Sequence, residues 1–180
     1  MKTKRGFTLI ELLVVVSIIA ILATIGLVMY STASKSGRIG KRVADLKAIA
    51  DALQIYYNLN GNQYPTTGGS WRSECPSWGG LAADQVIPNL VPNYMVAFPA
   101  DPSMDKVNNR SCYLYQSNGT DYKLLDHSIA EFTAADYLNQ RNFVDPARDG
   151  GGNCGIVDGT GPWAWAVWSS VNTTTAPQCW

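Results

Sequence analysis

Hydrophobic residues dominate the start of the chain between positions 7 and 29, where Glu11 is the only charged residue. As a helix rising about 1.5 Å per residue, this segment is roughly 34 Å long, enough to cross a hydrocarbon core of about 30 Å. Farther along, apolar residues recur every three or four positions from Ile39 to Tyr57, which is the pattern of an amphipathic helix. Because no proline occurs before Pro65, the sequence predicts one continuous helix over residues 7–59, apolar first and amphipathic afterwards.

The remaining residues, 60–180, have the pattern of a small β-containing head. Apolar and aromatic runs at 112–116 and 122–125 flank the turn-rich residues 117–121, which predicts a β-hairpin. A third apolar run, at 163–169, predicts another strand. The 16 glycines and nine prolines favour long loops over a helical bundle. The expected fold class is therefore α+β, with a long N-terminal helix packed against a small antiparallel sheet.

Composition and charge exclude some classes of function. The 14 basic and 14 acidic side chains balance. Without the three cations of the first six residues the charge is about −3, which does not favour nucleic-acid binding. His127 is the only histidine, and no motif around it indicates a catalytic triad. We therefore expect no enzymatic activity.

The four cysteines all lie in the predicted head. An even number of cysteines beyond an apolar segment is typical of disulfides formed in an oxidising compartment. Three pairings are open. We favour the two sequence-local pairs, Cys75–Cys112 and Cys154–Cys179, because they close the two longest loop-like regions. Reduced and buried cysteines are the alternative.

The basic leader and the carboxylate of Glu11 together indicate that the chain is processed. An acidic side chain at mid-bilayer costs up to about 2.5–3.5 kcal/mol and needs a partner, but residues 7–29 contain no cation. A cut between Gly6 and Phe7 would create an α-amino group one helical turn from Glu11. The run Gly6-Phe7-Thr8-Leu9-Ile10-Glu11 resembles the leader junction of type IV pilins and type II secretion pseudopilins.

The resemblance implies specific processing and assembly roles. In that family a prepilin peptidase cuts after the glycine and methylates the new amino terminus, so cleavage here would separate Gly6 from Phe7 and Phe7 would be N-methylated. Glu11 would pair with the amino terminus of an adjacent subunit. The expected organisation is a leader over residues 1–6, a helix over 7–59 with 7–29 in the membrane or filament core, and a head over 60–180.

The resemblance also implies a location. The precursor would be a single-pass protein of the inner or cytoplasmic membrane with its head outside, and the processed subunit would join an extracellular filament. Four cations after the apolar run favour a cytoplasmic head by the positive-inside rule, but the cysteines and the resemblance favour the outside. We expect these cations to form a solvated face or to pair with neighbouring subunits: Lys35, Arg38, Lys41 and Arg42.

Three acidic residues, Asp145, Asp149 and Asp158, lie in a glycine-rich loop. Carboxylates on a flexible loop suit Ca²⁺, although their spacing matches no EF-hand. Major pseudopilins as a class have calcium sites in a carboxy-terminal loop, so the resemblance favours calcium as a cofactor with these aspartates as candidate ligands. A solvated, turn-rich loop without metal is the alternative.

The expected function is that of a structural pilin subunit, which polymerises through its N-terminal helix into a type IV pilus or similar filament. Its partners would be copies of itself, the prepilin peptidase and the assembly machinery in the membrane. One alternative is the major pseudopilin of a type II secretion system. Another, of a different class, is a membrane-anchored binding protein that does not polymerise and uses its tryptophans as a ligand surface.

Overall fold

The computed structural model describes residues 7–151, 154, 157, 161–169 and 176–180, with the side chains of residues 26–28 left out. The chain divides into two compact units, Met1–Gly40 and Lys41–Trp180. One long helix, α1 (Leu9–Leu59), contributes residues to both units. It begins two residues later than the pattern predicts, because Thr8 caps its first turn. It ends at the predicted residue, where Gly61 and Asn62 adopt positive φ angles.

Within the first unit, the described side chains of residues 7–25 are all exposed. An 18-residue window of α1 has a mean hydropathy of 3.0 with none of it buried, so the helix is long and apolar enough to cross a membrane. Length and composition alone support this statement.

Within the second unit, three strands form one antiparallel sheet in the order β1 (Cys112–Ser117), β2 (Tyr122–His127) and β3 (Ala164–Trp168). The hairpin register pairs Cys112 with His127, and the second register pairs Lys123 with Trp168. A short helix, α2 (Ala134–Leu138), lies between β2 and β3 in sequence. This architecture confirms the expected α+β fold class.

One face of the sheet packs against the second half of α1. The hydroxyl of Tyr113 on β1 donates to Asp45 of the helix at 3.0 Å. Tyr64 lies between Tyr57 of the helix and Tyr122 of β2, with ring centroids 4.6 and 4.7 Å away. The helix residues buried here are Arg42, Leu46, Ile49, Ala52 and Leu53. Leu46 and Leu53 belong to the predicted stripe, and the buried face also includes a cation, Arg42, that the apolar pattern does not contain.

The other face of the sheet carries a second apolar cluster. Its buried members are Cys75, Cys112, Leu114, Leu125 and Ala166, against which Trp71, Trp78, Met104 and Trp168 pack. The disulfides are Cys75–Cys112 and Cys154–Cys179, with Cα–Cα distances of 6.2 and 5.2 Å. These are the two sequence-local pairs. They hold long loops against the sheet where regular secondary structure is sparse.

Candidate functional site

The start of α1 is a capping box formed by Thr8 and Glu11. Thr8 donates to Glu11 Oε2 twice, from its backbone N–H at 2.8 Å and from its hydroxyl at 2.7 Å. In return, the backbone N–H of Glu11 donates to Thr8 Oγ1 at 3.3 Å. This reciprocal arrangement satisfies amide groups that otherwise lack partners at a helix start. Gly6 lies outside the described residues, and Phe7 is 86% exposed.

The capping box gives Thr8 a role at the start of α1 that the sequence reasoning missed. Its signal was present, since threonine followed three residues later by glutamate before an apolar run is the usual sign of a helix start. A carboxylate at this end is also favoured by the helix dipole. Glu11 therefore has partners within its own helix, in the place where the resemblance puts a contact with another subunit.

The apolar surface of residues 9–25 contains two hydroxyl groups, and both donate hydrogen bonds to carbonyls of the same helix. Ser17 Oγ donates to the carbonyl of Val14 at 2.8 Å, and Thr24 Oγ1 donates to the carbonyl of Ile21 at 2.7 Å. Such back-bonding satisfies hydroxyls inside the helix. Within residues 7–25, Glu11 is the only charged side chain facing the surroundings.

In the second unit, Arg42 of α1 is the centre of a buried charge cluster, defined as Arg42, Asp101, Asp126 and Glu131. Its Nε donates to Asp101 Oδ2 at 2.6 Å and its Nη2 to Asp101 Oδ1 at 3.2 Å, a bidentate pair. Its Nη1 donates to Glu131 Oε1 at 2.7 Å. Asp126 Oδ2 lies 3.6 Å from Arg42 Nε. The expectation that Arg42 is solvated or pairs with a neighbouring subunit is therefore wrong.

The cluster combines one cation with three carboxyl groups, and burial shifts the pKa of one of them, Asp126. Burial, followed by the charge of Asp101, raises the pKa of Asp126 well above the ordinary aspartate range, while the attraction of Arg42 opposes the shift. The acid form of Asp126 is therefore favoured, which reduces the negative charge of the cluster. Burial also raises the pKa of the nearby Tyr113 phenol, so that side chain stays neutral. The cluster joins the helix, the loop before β1 and strand β2.

The predicted calcium ligands are only partly within the described residues. Asp145 is buried and accepts hydrogen bonds from Lys123 at 2.6 Å and from Arg148 at 2.7 Å. Asp149 is also buried, and its Oδ1 accepts from the backbone of Gly151 at 2.9 Å. Asp158 lies outside the described residues. No cluster of three or more His, Cys, Asp or Glu suited to a metal occurs in the part of the chain that the structure describes. Calcium binding stays a prediction.

The single histidine packs against tryptophans of the head, of which Trp78 is half-buried and Trp163 is 42% exposed. The ring of His127 lies between Trp78 and Trp163, with centroids 4.5 and 5.2 Å away, and burial lowers the pKa of its imidazole. The guanidinium of Arg148 lies over the rings of Trp71 and Trp163, at 5.3 and 5.7 Å from their centroids. These contacts give the aromatic residues a structural role within the head.

Comparisons with known proteins agree with the sequence pattern. A family model described as the prokaryotic N-terminal methylation motif matches residues 1–27. The chain is 35% identical over 101 residues to the type II secretion system core protein G of Escherichia coli (strain K12), an alignment that covers 55% of this chain and 66% of that protein. No solved structure matches the chain significantly.

Two further relatives share that name. The core protein G of Klebsiella pneumoniae is 37% identical over 67 residues, which cover 37% of this chain and 47% of that protein. The core protein G of Aeromonas hydrophila is 36% identical over 66 residues, which cover 37% of this chain and 46% of that protein. The chain thus spans less than two thirds of the length of each relative.

Proposed function

We propose, from the premise that this chain belongs to the family of type IV pilins and type II secretion pseudopilins, that it is a structural subunit of a pilus-like filament. The observation that carries the proposal is a capped glutamate at the start of an apolar helix surface whose described side chains are all exposed. This apolar surface favours burial over contact with water, because each Å² of apolar area removed from water contributes about 25 cal/mol of stabilisation. Lipid covers it before assembly, and the helices of neighbouring subunits cover it afterwards.

Processing at the amino end prepares the subunit to leave the lipid and pack against the helices of its neighbours. A prepilin peptidase cuts between Gly6 and Phe7 and methylates the new amino group of Phe7. That amino group then pairs with Glu11 of an adjacent subunit as the helix leaves the membrane. The ion pair sets the axial register of the subunits, because one carboxylate in an otherwise apolar surface has one favourable partner. The role is structural and not catalytic.

The location follows from the same helix. Before assembly, residues 7–29 anchor the subunit in the inner or cytoplasmic membrane with its head outside. The two disulfides support this orientation, because disulfides persist in oxidising compartments. The partners are copies of the same chain, the peptidase and the membrane-embedded assembly machinery.

The first test is a Glu11→Ala variant expressed in the native host, with Ser17→Ala as the matched control in the same exposed helix. We expect the Glu11 variant to be processed and to accumulate in the membrane but to form no filaments, whereas the control assembles normally. Mass spectrometry of the amino-terminal peptide should show a methylated Phe7. Normal filaments from the Glu11 variant, or an intact Met1 terminus, would refute the proposal.

A second candidate within the family is the major pseudopilin of a type II secretion system. The named relatives favour this candidate, since all three are core protein G of such systems. The two candidates differ in where the filament goes. Methylated subunits abundant in filaments sheared from the cell surface indicate a pilin. Subunits confined to the envelope, together with loss of protein secretion on deletion, indicate a pseudopilin.

A further inference from the structure

Lys123 is a buried cation on the sheet face that points away from α1. It pairs in register with Gln116 and Trp168, whereas its neighbours Tyr122 and Leu124 point to the helix side. Its side chain is 0% exposed. A lysine is almost never fully buried without partners, so we expect hydrogen-bond acceptors around its ammonium group.

Three oxygens surround the Lys123 ammonium. Nζ donates to Asp145 Oδ1 at 2.6 Å, to the main-chain oxygen of Gln178 at 2.8 Å and to that of Trp180 at 3.0 Å. An ammonium group has three N–H donors, so each donor has an acceptor. We call this arrangement, Lys123 with these three oxygens, the lysine cage. It ties residues 176–180 to the middle strand of the sheet.

Arg148 closes the other side of the cage. Its Nη1 donates to Asp145 Oδ2 at 2.7 Å and to the main-chain oxygen of Trp180 at 2.7 Å. Asp145 also accepts at Oδ1 from the backbone N–H of Ala147 at 3.0 Å. Both carboxylate oxygens are therefore engaged by cations, and the acidic charge of this buried site is already neutralised.

The donor set of the cage is one that a metal ion would also use. Ca²⁺ takes six to eight oxygen ligands from carboxylates and main-chain carbonyls. Here one side-chain carboxylate oxygen and two main-chain oxygens face an ammonium group, with a guanidinium beside them. A divalent ion at Asp145 would meet two positive charges at hydrogen-bond distance from its ligand, so Asp145 does not fit a calcium site while Lys123 and Arg148 are charged.

We propose that Lys123 is a built-in cation that holds the carboxy-terminal residues on the sheet in place of a metal ion, so that the head folds and stays stable without calcium. The Cys154–Cys179 disulfide tethers the same residues covalently. The lysine cage fixes their main-chain oxygens, and the disulfide fixes their distance from the loop before β3. The proposal does not depend on filament assembly, because it concerns the stability of the head alone.

The test measures thermal unfolding of the full-length protein in detergent micelles at neutral pH, followed by tryptophan fluorescence. We expect the midpoint to be the same, within about 1 °C, in excess EGTA and in millimolar calcium chloride. Lys123→Met should lower the midpoint by roughly 10 °C or more, because it leaves Asp145 buried beside fewer partners. Lys106→Met, which removes a half-exposed lysine paired with Glu74, is the control and should change little.

Two outcomes would overturn the proposal. One is a midpoint of the unaltered protein that rises by several degrees with calcium. The other is a Lys123→Met midpoint equal to that of the Lys106→Met control. If Lys123→Met does not fold, radioactive calcium binding to the unaltered protein decides the question, since one stoichiometric bound ion would refute the proposal and no binding would support it. Filament yield plays no part in either readout.

Discussion

Removing the guanidinium of Arg42 should destabilise the head more than removing any exposed cation. The side chain makes four hydrogen bonds, two to Asp101, one to Glu131 and one to Ser103 Oγ. Arg42→Met keeps a similar volume but leaves the carboxylates of Asp101 and Glu131 without their cation. The perturbation therefore isolates charge and hydrogen bonding from packing.

The expected magnitude follows from burial. Arg42 and Asp101 are both 0% exposed at their side chains, and breaking a buried pair by removing one partner costs about 3–5 kcal/mol. Asp101 keeps two hydrogen bonds from Ser103, at 2.6 and 2.9 Å, which favours the lower end of that range. Against a typical total stability of about 5–15 kcal/mol this loss is large. It corresponds to a fall in the unfolding midpoint of roughly 10 °C for a head of this size.

The assay is thermal unfolding of the full-length protein in micelles, with protease resistance of the head as an independent measure. Lys41→Met is the matched control, because Lys41 is the preceding residue of the same helix and its half-exposed ammonium pairs with Asp45 and donates to the carbonyl of Ala100. Such a surface pair contributes about 0–1 kcal/mol. Arg42→Lys should fall between the two, since lysine retains the charge but not the bidentate geometry. A midpoint for Arg42→Met within 2–3 °C of the control would refute the reasoning about the buried cluster.

Three other predictions concern separate parts of the chain. The folded state raises the pKa of Asp126, so it binds that proton more tightly than the unfolded chain and loses stability as pH rises above the ordinary aspartate range. Asp126→Asn should remove this loss as pH rises above about 4, the ordinary aspartate pKa; a midpoint difference from the unaltered protein that stays constant with pH would contradict the expectation. Thr8→Val should cost the first turn of α1 about 1 kcal/mol and speed amide hydrogen exchange there, whereas Thr8→Ser should not; equal exchange in both variants would argue against the capping box. Replacing Cys154 and Cys179 by serine should cost about 3.5 kcal/mol by chain entropy, given the separation of 25 residues; an unchanged unfolding midpoint would show that this bridge contributes little.

The sequence by itself determined the parts whose physics is local. A long apolar run with one acid, followed by an amphipathic stripe, specifies α1 because helical periodicity and the lack of proline act within a few residues. The hairpin and the capping box at Thr8 and Glu11 depend on turn chemistry and on a three-residue spacing, so both are legible in the sequence. The leader junction is equally local, since the family model of the N-terminal methylation motif matches it within residues 1–27.

Only the tertiary structure decided which charges are buried. In the sequence, Arg42 resembles any cation on a polar helix face. In the structure it pairs with Asp101, which lies 59 residues later in the chain. Lys123 occupies an ordinary position in strand β2, but its cage forms from Asp145 and from residues 176–180, which are distant from it in sequence. The physical reason is that the cost of burying a charge depends on where distant partners lie. Sequence periodicity describes one element at a time, and these partners come from several.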